Sequence, residues 1–242
     1  GRNREDWIQT RETELLPVPY FHVVFTLPEV LNKTALHEPK MLYDILFESA
    51  WETLQTFGKN KNLQMGMIAV LHTWGQNLSL HPHLHCIVPG GGVDENGAWK
   101  NIKNDGKFLF SVKALSKVFR AKFCEKLKAN LKDKFNENQE NEYEKIRQSL
   151  WEKPWVVYAK KPFGSPKSVV EYLGRYTHKI AISNGRIRGI DDKTVTFDYK
   201  DYRQKGIKKQ MVLSHEEFIR RFAMHILPKR FVKIRHYGFL SS

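Results

Sequence analysis

Residues 81–88, His81-Pro82-His83-Leu84-His85-Cys86-Ile87-Val88, set three histidines at alternate positions of a run that becomes apolar and β-branched. A β-strand alternates its side chains, so His83 and His85 emerge on one face about 7 Å apart, and Leu84 on the other. Two imidazoles side by side on a sheet form a metal site once a neighbouring strand supplies a third ligand. The run Gln64 to Trp74, QMGMIAVLHTW, reads as the preceding strand, and its His72 lies 11 residues before His83. An antiparallel return brings His72 close to the pair. His81 is the rival third ligand: it shares the parity, but Pro82 implies that the strand has not yet begun there. Gln76 and Asn77 are weaker candidates, and Cys86, of the opposite parity, belongs to the core. A lone histidine is normally a satisfied core or surface residue. Two at i, i+2 with a third nearby favour a metal, and three imidazoles leave coordination positions open, as catalytic sites do.

Outward from this centre, Pro17 to Leu27 (PVPYFHVVFTL) reads as a strand closed by Pro28. Leu42, Ile45, Leu46, Ala50, Leu54 and Phe57 repeat at helical spacing, and Gly58 stops the helix. The third strand, Leu84 to Val88, ends in Pro89-Gly90-Gly91-Gly92. Leu115, Val118, Phe119, Phe123, Leu127 and Leu131 mark a long amphipathic helix over residues 114–135. Residues 136–141 are polar and read as a helix–helix connection. Trp155 to Ala159 reads as a strand. Ser165-Pro166 opens a helix running to about Thr177. Residues 186–198 read as strand, turn at Asp191-Asp192, strand. Ser214-His215-Glu216-Glu217 is a capping box opening a helix to about Ile226, and a last strand covers Phe231 to Arg235. With no internal repeat and no long linker, the expectation is one α+β unit with an antiparallel sheet.

The 242 residues carry 40 Lys+Arg against 26 Asp+Glu, a net charge of +14. The excess is uneven: residues 171–242 hold 16 Lys+Arg and only 7 Asp+Glu. Such a balance points to a polyanionic partner, most often nucleic acid. An apolar share of 41% and an aromatic share of 12% exclude a disordered basic tail. No run of 18 apolar residues is present, so no transmembrane helix is expected. Gly1 to Glu14 are charged and lack a signal-peptide core. Two cysteines, Cys86 and Cys124, make no disulfide framework and suit a reducing compartment. The expected location is cytoplasmic and nucleoid-associated. Tyr172, Tyr176, Phe197, Tyr199, Tyr202, Phe231, Tyr237 and Phe239 interleave with the C-terminal cations. Many will be core, but the mixture suits single-stranded nucleic acid, whose bases stack while its phosphates pair.

A second constellation is Glu171-Tyr172-Leu173-Gly174-Arg175-Tyr176-Thr177-His178-Lys179. A helix places Tyr172 and Tyr176, four apart, on one face. Alone, they would read as a buried aromatic stripe with Val169. Beside a histidine site they read as nucleophiles toward phosphorus. A phenol with an ordinary pKa of about 10 needs a cation to polarise the phosphate and favour the phenolate. Arg175, His178 and Lys179 add positive charge for the phosphodiester.

His83-Leu84-His85 resembles the HUH motif, two histidines around a hydrophobic residue. With Tyr172-x-x-x-Tyr176 it resembles the two-tyrosine HUH transposases of rolling-circle insertion sequences. Supporting strings run from Leu15 to Pro28, His72 to Gly75, Gly174 to His178, Ile182 to Asn184 and Ile234 to Leu240, so the similarity covers nearly the whole chain. The resemblance implies a central antiparallel sheet flanked by helices. It implies a lead-in over residues 1–16 and a catalytic domain over 17–242, with a basic extension from about residue 185. It also implies a divalent ion, magnesium or manganese, on His72, His83 and His85. Single-stranded DNA, as transposon ends and target, is the implied partner, with Arg175, His178, Lys179, Arg186 and Arg188 along it. One tyrosine attacks the scissile phosphate, leaving a 5′-phosphotyrosine and a free 3′-hydroxyl. The second tyrosine permits another cleavage before the first end is released. Family members usually carry an N-terminal cysteine-rich zinc module; no cysteine precedes Cys86, so that module is expected to be absent, trimmed or degenerate. A rolling-circle replication or relaxase-type nickase, a zinc hydrolase using the same histidines, and a pure nucleic-acid-binding module are the alternatives. Neither the oligomeric state nor the first tyrosine to act follows from the sequence.

Overall fold

Alternation along β1 (Tyr20–Thr26) sends Phe21, Val23 and Phe25 to one side of a sheet and Tyr20, His22 and Val24 to the other. The computed structural model describes residues 15–102, 109–131, 137–160, 163, 168, 169, 171, 172, 174 and 180–241, with only the backbone of 137–143 and Arg203. β2 (Gly66–Trp74) and β3 (Leu80–Pro89) carry the same division. With β6 (Val157–Ala159) and β10 (Ile234–Gly238) they form a five-stranded sheet in the order β10-β2-β3-β1-β6, every neighbouring pair antiparallel. β3 is therefore the central strand. The α+β architecture with a central antiparallel sheet and flanking helices agrees with the sequence reading.

One face is covered by α2 (Pro39–Lys59) and α3 (Val112–Leu131), after a short α1 (Asn32–His37). Phe25, Leu46, Phe47, Phe119 and Phe123 are fully buried there, each stabilising by roughly 1.5–3 kcal/mol. The opposite face carries Tyr20, Ile68, Val70 and Ile87 beneath Val169 and Tyr172, on the helical residues 168–174 as far as these are described. Between β3 and α3 lies a small hairpin, β4 (Gly91–Val93) and β5 (Trp99–Asn101).

Residues beyond 180 build a separate three-stranded sheet, β7 (Ile187–Ile190), β8 (Thr194–Asp201) and β9 (Ile207–Ser214), followed by α5 (His215–Ala223). Its small core joins Ala181, Ile182 and Phe197 to Leu78, which belongs to the β2–β3 turn. The chain then returns to pair β10 with β2. Arg235 ties this edge to α2 through Asp44 and lies 4.2 Å from the centre of the Phe47 ring.

Several elements differ from expectation. Residues 137–141 are not a connection but the first turns of α4 (Glu137–Glu152), because Glu and Gln are good helix formers even without an apolar stripe. β9 escaped notice because its Lys-rich sequence buries only one half-covered face. The last strand lies three residues later than read, at Ile234–Gly238. The His83 strand starts at Leu80 despite Pro82. The pairing with β2 shifts between His72 and Trp74, so Pro82 sits beside an irregularity that spares the missing donor. Ser214 does cap α5, accepting from the Glu217 N–H at 3.2 Å. The expected lead-in at 1–16 falls outside the described residues except for Leu15 and Leu16.

Candidate metal centre and its tyrosine

The register of β2 and β3 makes His72 and His83 direct partners and sets Val70 opposite His85. Three imidazoles therefore converge on one face, and their ligand atoms all lie within 4.8 Å of one another. His72 is 2% exposed and stacks on Trp74 at 4.7 Å. The Nδ1 of His83 donates to the His81 carbonyl at 2.6 Å, since a carbonyl can only accept. That leaves Nε2 of neutral His83 as a lone pair, and it faces Nε2 of His85 at 3.1 Å. Two nitrogens aimed at each other this closely need a proton or a cation between them, and an all-imidazole set suits a divalent transition ion.

His22, not singled out from the sequence, completes the site. It is 4% exposed on β1, and its ring stacks on His85 with centroids 5.1 Å apart and planes at 11°. Its Nε2 lies 2.9 Å from Nδ1 of His85 and 2.7 Å from the Tyr172 hydroxyl, which is itself 3.1 Å from His85 Nδ1. Burial, and secondarily the Lys160 charge, pushes the His22 pKa down to about 4. At neutral pH it is an uncharged ring able to accept from the phenol. A consistent arrangement follows: His85 donates from Nδ1 toward Tyr172 Oη, and Tyr172 donates to His22. This fixes His85 as the tautomer whose Nε2 lone pair faces His83, the outer-partner arrangement common around metal-binding histidines. The signal in the sequence was a histidine inside an apolar strand, at the parity of Tyr20 and Val24.

The other candidates take different places. His81 is exposed, its ring 5.2 Å from that of His83, on the rim rather than in the triad. Gln76 and Asn77 lie in the β2–β3 turn. Tyr172 is half-buried against Phe163, 5.2 Å away. Tyr176, Arg175, His178 and Lys179 lie outside the described residues. Arg186 is half-buried, donating from Nε to the Asp198 carbonyl at 2.8 Å and from its guanidinium to the Gln76 carbonyl. Arg188 is ion-paired with Asp198. Both arginines are thus engaged within the C-terminal sheet and its turn contact. Cys86 and Cys124 are buried free thiols pushed up by desolvation. Among the described residues no helix is long and apolar enough to cross a membrane.

The chain is similar to several known proteins. The chain is 44% identical over 250 residues to "Putative transposase y4qJ" of Sinorhizobium fredii (strain NBRC 101917 / NGR234), covering 99% of this chain and 63% of that protein. It is 29% identical over 246 residues to the "Transposase for insertion sequence element IS801" of Pseudomonas savastanoi pv. phaseolicola, covering 98% of this chain and 58% of that one. The chain thus spans about three-fifths of the length of these relatives. Among solved structures it is similar to the conjugative relaxase TrwC in complex with oriT DNA, with a TM-score of 0.34, 14% identity and coverage of 46% and 43% of the two chains. The model of the Y2_Tnp family, described as "Putative transposase", matches residues 66–242. That match runs from the strand bearing His72 to the C-terminus, and the chain belongs to this transposase family.

Proposed function

We propose that this chain is the DNA-cleaving and strand-joining part of a rolling-circle transposase. It would act on single-stranded DNA through a covalent 5′-phosphotyrosine. The observation that carries the reading is the convergence of the Tyr172 hydroxyl, 3.1 Å from His85, with three imidazoles whose ligand atoms cluster within 4.8 Å. His72, His83 and His85 would hold a divalent ion, magnesium or manganese by the family resemblance, which supplies Lewis-acid polarisation of a phosphodiester. The relatives' names, a putative transposase and a transposase for an insertion sequence element, support DNA as the substrate.

In the proposed reaction Tyr172 Oη forms a bond to phosphorus and the P–O3′ bond breaks. The phenolic proton is directed at Nε2 of His22, 2.7 Å away, and the departing 3′-oxygen takes up a proton as a hydroxyl. The phosphotyrosine keeps the energy of the broken bond, so the 3′-hydroxyl of another strand can reverse the step without ATP. Tyr176, four residues further along the sequence, is the second nucleophile, which makes paired cleavage and strand exchange possible. Arg175, His178 and Lys179 hold the phosphate backbone.

A nicking assay on a single-stranded oligonucleotide with manganese tests this. A denaturing gel is expected to show an adduct between protein and the 5′ end of the product. Cleavage with no adduct would falsify the tyrosine mechanism. His83→Ala is expected to abolish nicking while salt-sensitive DNA binding persists. The double variant Tyr172→Phe/Tyr176→Phe is expected to bind but not cut. Undiminished cleavage of a substrate by that double variant would point to a hydrolase built on the histidines.

A further inference from the structure

Next to the triad, the start of β3, the β2–β3 turn and the end of β8 enclose an open cleft of about 550 Å³, within the size range of ligand sites. Its walls include Gln76, Asn77, His81 and Glu29 on one side and Lys200 and Tyr202 on the other. His81 joins it to the metal centre, because the same ring that lines the cleft lies 5.2 Å from His83. Tyr202 is 70% exposed, an aromatic ring that the core does not use.

The chemistry of the lining selects a class of occupant. Side-chain amides and a carboxylate offer donors and acceptors in one narrow space, and an exposed ring offers a π face. A phosphate is disfavoured there: Glu29 lies in the wall, and Asp201, also in the wall, pairs with Lys209 at 2.8 Å. Lys200, by contrast, is exposed at the lip, where a backbone phosphate can meet it. We infer that this cleft seats one unpaired nucleobase of single-stranded DNA, stacked on Tyr202, beside the phosphate presented to the histidines. This rests on the single-stranded-DNA reading above and adds a subsite on the C-terminal sheet. Stacking on an aromatic side chain needs no particular base and suits a strand already out of its duplex.

The test uses a fluorescein-labelled 20-mer of thymidylate and the full chain, read by fluorescence anisotropy. Tyr202→Ala is expected to weaken binding about tenfold, in line with the loss of one stacked base. Tyr202→Phe, which keeps the ring, is expected to stay within about twofold of the unmodified protein. The dependence of affinity on salt should keep its slope in Tyr202→Ala, whereas Lys200→Ala lowers it by about one phosphate contact. With iododeoxyuridine in the oligonucleotide, irradiation is expected to crosslink the peptide containing Tyr202. Equal affinity of the unmodified protein and Tyr202→Ala, with no crosslink to that peptide, overturns the cleft while leaving DNA cleavage untouched. An unmodified protein that fails to bind the 20-mer overturns both readings.

Discussion

His22 shows how much one buried side chain can decide. Its ring is held on one side by His85 and capped by the Tyr172 hydroxyl, so removing it frees both the tautomer of His85 and the orientation of the phenol. His22→Ala is expected to lower nicking about 10- to 100-fold, and manganese affinity with it, while oligonucleotide affinity holds. The checks are single-turnover cleavage and the rise in melting temperature on adding manganese; unchanged values in both would remove His22 from the site. Gly238 is a second decisive position. It has φ +63°, and a Cβ there would stand 1.9 Å from the Met65 carbonyl oxygen. Gly238→Ala is therefore expected to destabilise the protein by about 2 kcal/mol or more, measured by urea unfolding.

At the scale of elements, the turn between the two histidine strands is gripped by the C-terminal sheet and helix. Arg186, Arg221 and His225 contact three successive carbonyls, those of Gln76, Asn77 and Leu78. The Leu78 side chain is fully buried against Ala181, Ile182 and Phe197, although its backbone sits at φ +61°. Leu78→Ala is expected to cost about 2–5 kcal/mol and to loosen the spacing of His72 and His83. Calorimetry reads the stability, and nicking below the melting temperature reads the spacing. The grip also has a pH window. Hydrogen bonds from Arg220 and Arg221 hold the Glu217 pKa down at about 2, below its ordinary 4.5. A depressed carboxylate stabilises fully above the unfolded value, and the effect is lost as pH falls through the folded one. The melting-temperature difference between the unmodified protein and Glu217→Gln should therefore close as pH drops from about 4.5 toward 2. A gap that persists below that range would show that the pairing contributes nothing.

For the whole molecule, the net charge of +14 predicts binding to single-stranded DNA that weakens steeply with salt. Each neutralised phosphate adds about 0.7 to the slope of log affinity against log salt, so three or more contacts give about −2 or steeper. A flat dependence would separate the charge from DNA binding. Local sequence pattern was enough for the antiparallel α+β plan, the shared face of His83 and His85, the Ser214 cap of α5 and the C-terminal weighting of charge, whereas α2 runs through the expected Gly58 stop to Lys59. These follow from periodicity and composition, which act over a few residues. It left His72 and His81 in competition, because a third ligand depends on register between strands, and only the pairing of His72 with His83 placed the former in the cluster. It passed over His22, whose meaning depends on a tyrosine 150 residues away in the chain. It could not foresee that Arg186, read as a cation for DNA, also bonds the Asp198 and Gln76 carbonyls. Contacts between residues far apart in sequence come from closing the sheet and docking the C-terminal strands, and no local pattern encodes them, so which side chains meet emerges only in the folded chain.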